Sequence, residues 1–175
     1  RPHNFCDGVL LMDLVTDEDG NSAPRLNDVV FTADEARAHH ATLLVEVVRM
    51  LGAGIVHGDL SEFNILLAAD GPVIIDLPQA VDAAANNNAR AMLERDVDNL
   101  AAYFGQFVPG LRGTSYGREI WSLYESGKLH PEVELTGVVA ADDAPADLGE
   151  VMQVIEAARR EEAARQAGRA AVGTD

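Results

Sequence analysis

Apolar residues recur at three- and four-residue spacing over several long stretches of the chain and run together in short blocks elsewhere, which predicts a mainly helical protein with a little strand. Thr32-Ala33-Asp34-Glu35 is a capping box, with Thr32 as N-cap and Glu35 at N3, and it opens a helix to about Leu51. Leu43, Leu44, Val47, Val48 and Leu51 give that helix its core face, and Gly52 and Gly54 can end it in left-handed conformation. His39 and His40 fall at its polar beginning. Adjacent side chains on a helix point about 100° apart, so the pair makes a poor metal site and is expected in solvent. Asn86-Asn87-Asn88 marks a turn and an N-cap for a second helix, striped by Leu93, Val97, Leu100 and Phe104. Tyr116, Ile120, Trp121 and Tyr124 form the core face of a third, which ends at Gly127. From Pro145, Leu148, Val151, Met152 and Ile155 predict a further helix packed on the rest, fraying beyond Ala157 into Ala and charge. An exposed tail is the plain reading of that end, and a partner-binding helix the alternative.

The extended blocks are shorter. Gly8 to Val15 reads as one buried strand running into a linker, while Ile65–Ala68 and Val73–Ile75 read as two short buried strands. Asp70-Gly71 between them is a turn pair that tolerates positive φ.

Composition narrows the class. A chain of 175 residues with 47% hydrophobic content can bury one sizeable core. A net charge of −16 argues against direct nucleic-acid binding and against anionic lipid, because phosphates would be repelled over most of the surface. The single cysteine, Cys6, excludes an intrachain disulfide framework and fits a reducing cytoplasm. No apolar run reaches the roughly 20 residues of a membrane span.

The candidate chemistry lies between Ile55 and Asp76. Asp59 stands five residues before Asn64, and Asp76 follows the second strand of the predicted hairpin, so all three polar groups fall at one end of it. Transfer of a γ-phosphoryl group needs a carboxylate to orient the attacking hydroxyl and accept its proton, which suits Asp59. Mg²⁺ takes hard oxygen ligands and is usually held by one or two protein groups plus phosphates and water, which suits Asn64 and Asp76. The spacing is that of the kinase catalytic loop H-R-D-x-x-x-x-N followed by the Asp of D-F-G.

The loop alone also resembles the aminoglycoside and choline phosphotransferases. Ser61 and Glu62 decide between the families, since conventional protein kinases carry Lys at the position of Ser61 and small-molecule kinases usually His-Pro or a similar pair. Asp59-Leu60-Ser61-Glu62-Phe63-Asn64 resembles the RIO family of atypical serine kinases, most closely its bacterial members. Ile75-Asp76-Leu77-Pro78-Gln79-Ala80-Val81 is similar to the bare Ile-Asp that replaces D-F-G in that family, and Arg95-Asp96-Val97-Asp98-Asn99-Leu100 with Tyr103-Phe104 also resembles it. The resemblance runs from about Val9 to about Gly137.

It implies an α+β fold, a protein-kinase-like carboxy-terminal lobe that is mainly helical with a short catalytic β-hairpin. Residues 1–15 would be the last strand of an amino-terminal lobe and the hinge, 16–140 the carboxy-terminal lobe, and 141–175 the terminal helix and tail. The Gly-rich loop, the strand Lys and its helix Glu have no counterpart here, so the chain is expected to be a fragment with negligible turnover by itself. The resemblance further implies an ATP- and Mg²⁺-dependent serine/threonine kinase or ATPase, cytoplasmic, with Mn²⁺ as an alternative ion and a protein substrate or ribosome-associated factor as partner. It makes Met12 the gatekeeper, sets the Asp13 carbonyl and Val15 amide on the adenine edge, gives Ser61 a phosphate or substrate contact, assigns Glu62 to holding the loop, and makes Asp76 a candidate phosphoryl acceptor. A small-molecule phosphotransferase and a non-catalytic nucleotide-binding lobe are the competing readings.

Asp96 interrupts the apolar stripe of the second helix. A buried carboxylate must find donors or a cation. By the kinase resemblance it accepts hydrogen bonds from the catalytic-loop backbone; the simpler alternative is an ion pair with Arg95 or another Arg.

Overall fold

A computed structural model describes residues 2–138. In that span the order is strand β1 (Pro2–Cys6), β2 (Val9–Met12), helix α1 (Ala33–Gly52), β3 (Ile55–Val56), β4 (Ile65–Ala68), β5 (Gly71–Ile74), β6 (Val81–Asp82), α2 (Ala89–Phe104) and α3 (Tyr116–Glu125). The strands pair antiparallel as β1-β2, β3-β6 and β4-β5, each pair separate from the others. The expected helix from Pro145 lies outside the described residues.

The core gathers around α2. Leu93, Val97, Leu100 and Phe104 are buried along one stripe, as their spacing predicts, and meet Leu43, Leu44, Val47 and Leu51 of α1 and Ile120 and Trp121 of α3. Leu60 and Ile65, on either side of the Ser61–Asn64 turn, are almost wholly buried in the same cluster, so the loop carrying the candidate chemistry is anchored by its own apolar residues. The Tyr103 hydroxyl donates to the Leu26 carbonyl at 2.6 Å and ties the segment before α1 to α2. That segment also flanks β4, with the Leu67 amide on the Pro24 carbonyl at 2.8 Å and the Ala69 amide on the Thr16 carbonyl at 3.1 Å.

Local signals set the helix ends. The Glu35 amide donates to Thr32 Oγ1 at 3.3 Å and the Thr32 amide to Glu35 Oε2 at 2.8 Å, the reciprocal capping pair, which contributes about 1 kcal/mol. Gly54, at φ 79°, makes the left-handed turn after α1, whereas Gly52 stays helical. Asn88 begins α2 without a side-chain cap; it is Asn86 Oδ1 that accepts the Asn88 amide, at 2.8 Å.

Two expectations are corrected. The stretch from Gly8 to Val15 is not one buried strand: β2 is four residues long and Val9, Leu11 and Met12 are exposed. It forms a hairpin with β1 through Asp7 and Gly8, both at positive φ (51° and 80°), the geometry an Asp-Gly pair favours. A two-stranded ribbon offers a strand a neighbour at its edge but no layer over its faces.

His40 is the second correction. It is only 3% exposed, its ring set against Phe104 (centroids 5.7 Å apart) and Tyr116 (5.6 Å), while His39 is half-buried edge-on to Phe31 (5.2 Å). The helical period explains it, since His40 precedes Leu43, Leu44 and Val47 by three, four and seven residues and shares their face. Burial holds the imidazole well below its usual range, down to about 4. An unfolded chain takes up this proton below about pH 6.5 while the folded one refuses it, so stability is lost as the pH falls from about 6.5 towards 4. The difference in unfolding free energy between the parent and His40→Leu is therefore expected to shift by about 3 kcal/mol against the parent between pH 7 and pH 4. Denaturant titrations at both pH values check this; an unchanged difference would mean that the imidazole protonates freely in the fold.

Candidate functional site

The open end of the β4-β5 hairpin collects three polar side chains. Ile65 pairs with Ile74, so Asn64 stands opposite Ile75, and the Ile75 amide donates to the Asn64 carbonyl at 3.0 Å. Asp76 follows directly and lies at the same end. Asn64 Nδ2 donates to the Asp59 carbonyl at 2.8 Å and reaches Asp59 Oδ2 at 3.4 Å. With its amide nitrogen committed to Asp59, Asn64 keeps Oδ1 as the atom able to take a cation. Asp59 and Asp76 are both exposed, and Asp76 adopts a left-handed backbone (φ 68°, ψ 61°) that costs a non-glycine residue about 1–2 kcal/mol. Asn64 and Asp59 are thus in contact, and Asp76 stands at the same end of the hairpin.

The loop that presents Asp59 is bonded almost entirely by side chains. His57, 3% exposed, sets Nε2 against the Ile75 carbonyl at 2.9 Å, while its Nδ1 accepts the Asp59 amide at 3.3 Å, a pairing that calls for the neutral tautomer protonated on Nε2. One imidazole therefore links the loop of Asp59 to the residue before Asp76. From α2, Asp96 Oδ2 accepts the Gly58 amide at 2.7 Å and Oδ1 the Leu60 amide at 3.1 Å; Arg95 Nη2 donates to the Gly58 carbonyl, and Asn99 Nδ2 to the Leu60 carbonyl at 3.1 Å.

Asp96 therefore takes the first of its two expected roles. Arg95 stands at 3.7 Å as a secondary partner. Burial pushes the Asp96 carboxyl up, and the two amides and the charge of Arg95 oppose that rise. Replacement by Ala leaves two amides of a packed loop without acceptors, so Asp96→Ala is expected to cost about 1–3 kcal/mol. A thermal melt superimposable on the parent's would show those amides to be solvated instead.

The remaining expected residues are scattered in their support. Ser61 is half-buried and its carbonyl closes the turn with the Asn64 amide at 3.0 Å. Glu62 makes no hydrogen bond to the loop among the described residues; the side chains on α2 hold it, contrary to expectation. Asp13 is exposed and bonded by His3 Nε2, a contact that lowers its carboxyl's pKa. The Val15 carbonyl accepts the Ala23 amide at 2.9 Å, and the next residue, Thr16, joins the turn end of the hairpin. Met12 and Asp13 lie on or just after the exposed β2 ribbon. No cluster of three or more His, Cys, Asp or Glu able to hold a metal occurs among the described residues. A cation here would thus depend on Asn64 and Asp76 plus ligands from a phosphate and water, which fits the way Mg²⁺ is held.

A family model described as the RIO domain matches residues 1–114, more than half of the chain. The chain belongs to the RIO family. The match spans every residue of the hairpin end and of the α2 clamp. The RIO domain is a protein-kinase-like fold, and the described residues form three helices and small two-stranded sheets. It is 39% identical over 101 residues to the serine/threonine-protein kinase RIO3 of Caenorhabditis elegans, covering 55% of this chain and 19% of that protein. It is 40% identical over 101 residues to the RIO-type serine/threonine-protein kinase Rio1 of Haloferax volcanii, covering 55% of this chain and 32% of the other. With the Rio2 kinase of Methanocaldococcus jannaschii it shares 46% over 66 residues, 37% of this chain and 24% of that one. The matches therefore span about a fifth to a third of these relatives' length. Among the described residues no helix is long and apolar enough to cross a membrane.

Proposed function

We propose that this RIO domain supplies the carboxy-terminal lobe of an ATP- and Mg²⁺-dependent serine/threonine kinase. The observation that carries the reading is the hydrogen-bonded set at the hairpin end: Asn64 bonded to Asp59 by its side chain and to the residue before Asp76 by its backbone. Asp59 orients a substrate hydroxyl and takes its proton as the oxygen–phosphorus bond forms and the bond to the leaving ADP oxygen breaks. Asn64 Oδ1 and the Asp76 carboxylate are the protein ligands for Mg²⁺, which when bound neutralises charge on the phosphates. Ser61 contacts phosphate or substrate. Met12, Asp13 and Val15 serve the adenine end, and the attachment of Thr16 at the turn end of β4 supports that direction, because a four-residue strand separates it from the metal end by about 13 Å. The acceptor is a serine or threonine of a protein, and a cytoplasmic setting and a ribosome-associated partner belong to the same proposal.

The test is transfer from γ-labelled ATP by the full-length protein, with and without Mg²⁺. Label on serine or threonine, dependent on the metal, is the expected result. Label released only as phosphate, trapped as an acyl phosphate on Asp76, would establish an ATPase cycle in place of the kinase. Label carried on a small molecule would favour the phosphotransferase reading. ATP binding without turnover would favour the non-catalytic one.

A further inference from the structure

Residues 58–60 hold six backbone polar groups, and each is bonded to a side chain. The Asp59 amide and carbonyl go to His57 and Asn64, both within the loop. The other four go to α2: two amides to Asp96, the Gly58 carbonyl to Arg95 and the Leu60 carbonyl to Asn99. No strand or helix ladder takes any part in fixing Asp59, so side chains alone hold its backbone in one shape. Asp96 is buried and supports the core as well. Arg95 and Asn99 are both exposed, and Asn99 makes no other hydrogen bond among the described residues, so burial offers no structural use for its amide.

We infer that Arg95 and Asn99 are positioning residues for the reaction, Arg95 fixing the Gly58–Asp59 peptide and Asn99 the Leu60–Ser61 peptide one residue beyond, so that the Asp59 carboxylate meets the substrate hydroxyl. The inference rests on the reading of Asp59 as proton acceptor. A carbonyl freed at either position loosens the backbone that carries Asp59, and misplacement of a reacting group by about 1 Å costs up to 10²-fold in rate. The metal end, built on Asn64 and Asp76, is left as it was.

The experiment is a double-mutant cycle in the full-length protein, with single-turnover phosphoryl transfer as the readout. Asn99→Ala is expected to lower kcat about tenfold while the KM for Mg-ATP stays within about twofold, and Asn99→Asp, which keeps the shape but turns a second acceptor to the carbonyl, to do the same. In the background of Asp59→Asn, neither substitution should lower the residual rate further, since both act through the missing carboxylate. A purely structural role would lower the melting temperature and leave kcat of the folded protein unchanged, or cut the residual rate of the double variant equally; either overturns the inference. If Asp59→Asn alone retains the parental rate, the reading of Asp59 is what fails. Arg95→Gln carries the same cycle from the Gly58 side should Asn99→Ala not fold.

Discussion

Asp59→Asn is expected to bind Mg-ATP with near-parental affinity and to transfer phosphoryl groups roughly 10²-fold or more slowly, the usual scale for a positioned base. Asp76→Asn should behave differently, needing more Mg²⁺ to reach a given occupancy by nucleotide. The two carboxylates lie at one end of one hairpin, yet their surroundings separate them. Asp59 lies in a loop whose every flanking peptide group is held by a side chain and whose Oδ2 is 3.4 Å from the Asn64 amide nitrogen, which suits a group that must aim at a substrate. Asp76 follows a strand end in a left-handed conformation. The measurement is nucleotide affinity and single-turnover rate across a Mg²⁺ series for both variants, made in the full-length protein. If high Mg²⁺ rescued Asp59→Asn and not Asp76→Asn, base and ligand would be exchanged.

Gly58→Ala is expected to be the most damaging single methyl in the described residues. Gly58 has φ 82°, and a Cβ there would stand 2.7 Å from Met92 Cε and 2.8 Å from the Gln79 carbonyl oxygen. Met92 can swing aside; the Gln79 carbonyl is backbone and cannot. Left-handed backbone costs an alanine about 1–2 kcal/mol and overpacking another 1–3, so roughly 2–5 kcal/mol should be lost. Whatever relaxation relieves the contact must also move an amide and a carbonyl bonded to Asp96 and Arg95, so phosphoryl transfer should fall along with stability. Urea unfolding checks the first, and single-turnover transfer well below the melting range checks the second. A variant as stable as the parent would mean that the loop stands further from Gln79 than described.

What could be read from the sequence was whatever a local pattern carries. The capping box of Thr32 and Glu35 and the stripe of α2 are periodic or short-range, and both are present. Asp96 was legible because a carboxylate on an apolar stripe is an anomaly requiring donors. The burial of His40 follows from its spacing to Leu43, Leu44 and Val47, a pattern that the adjacency of two histidines does not contain. Asp7-Gly8 signals the β1-β2 hairpin, whereas the apolar run after it matches a buried strand equally well because a local pattern does not say what covers it. Arg95 and Asn99 gave no comparable signal as partners of the Gly58 and Leu60 carbonyls, because exposed polar residues on a helix interrupt nothing. The roles of Gly58 and the left-handed turn at Asp76 depend on how closely separate segments approach, a property no spacing rule contains.

The bonds that hold residues 58–60 to α2 join positions 36 to 39 apart in the chain. A growing polypeptide releases Asp59 well before Asn99, and in the interval nothing from α2 exists to hold its loop. Alignment of Asp59 is thereby coupled to α2: a molecule in which that helix is absent or unfolded carries the carboxylate but lacks its support. The same long separation adds a closure entropy to the ordering of the loop, since that stretch of chain must close before any of the four bonds forms. On the proposed reading as a kinase, the chain stays silent until α2 has folded, without needing an inhibitor.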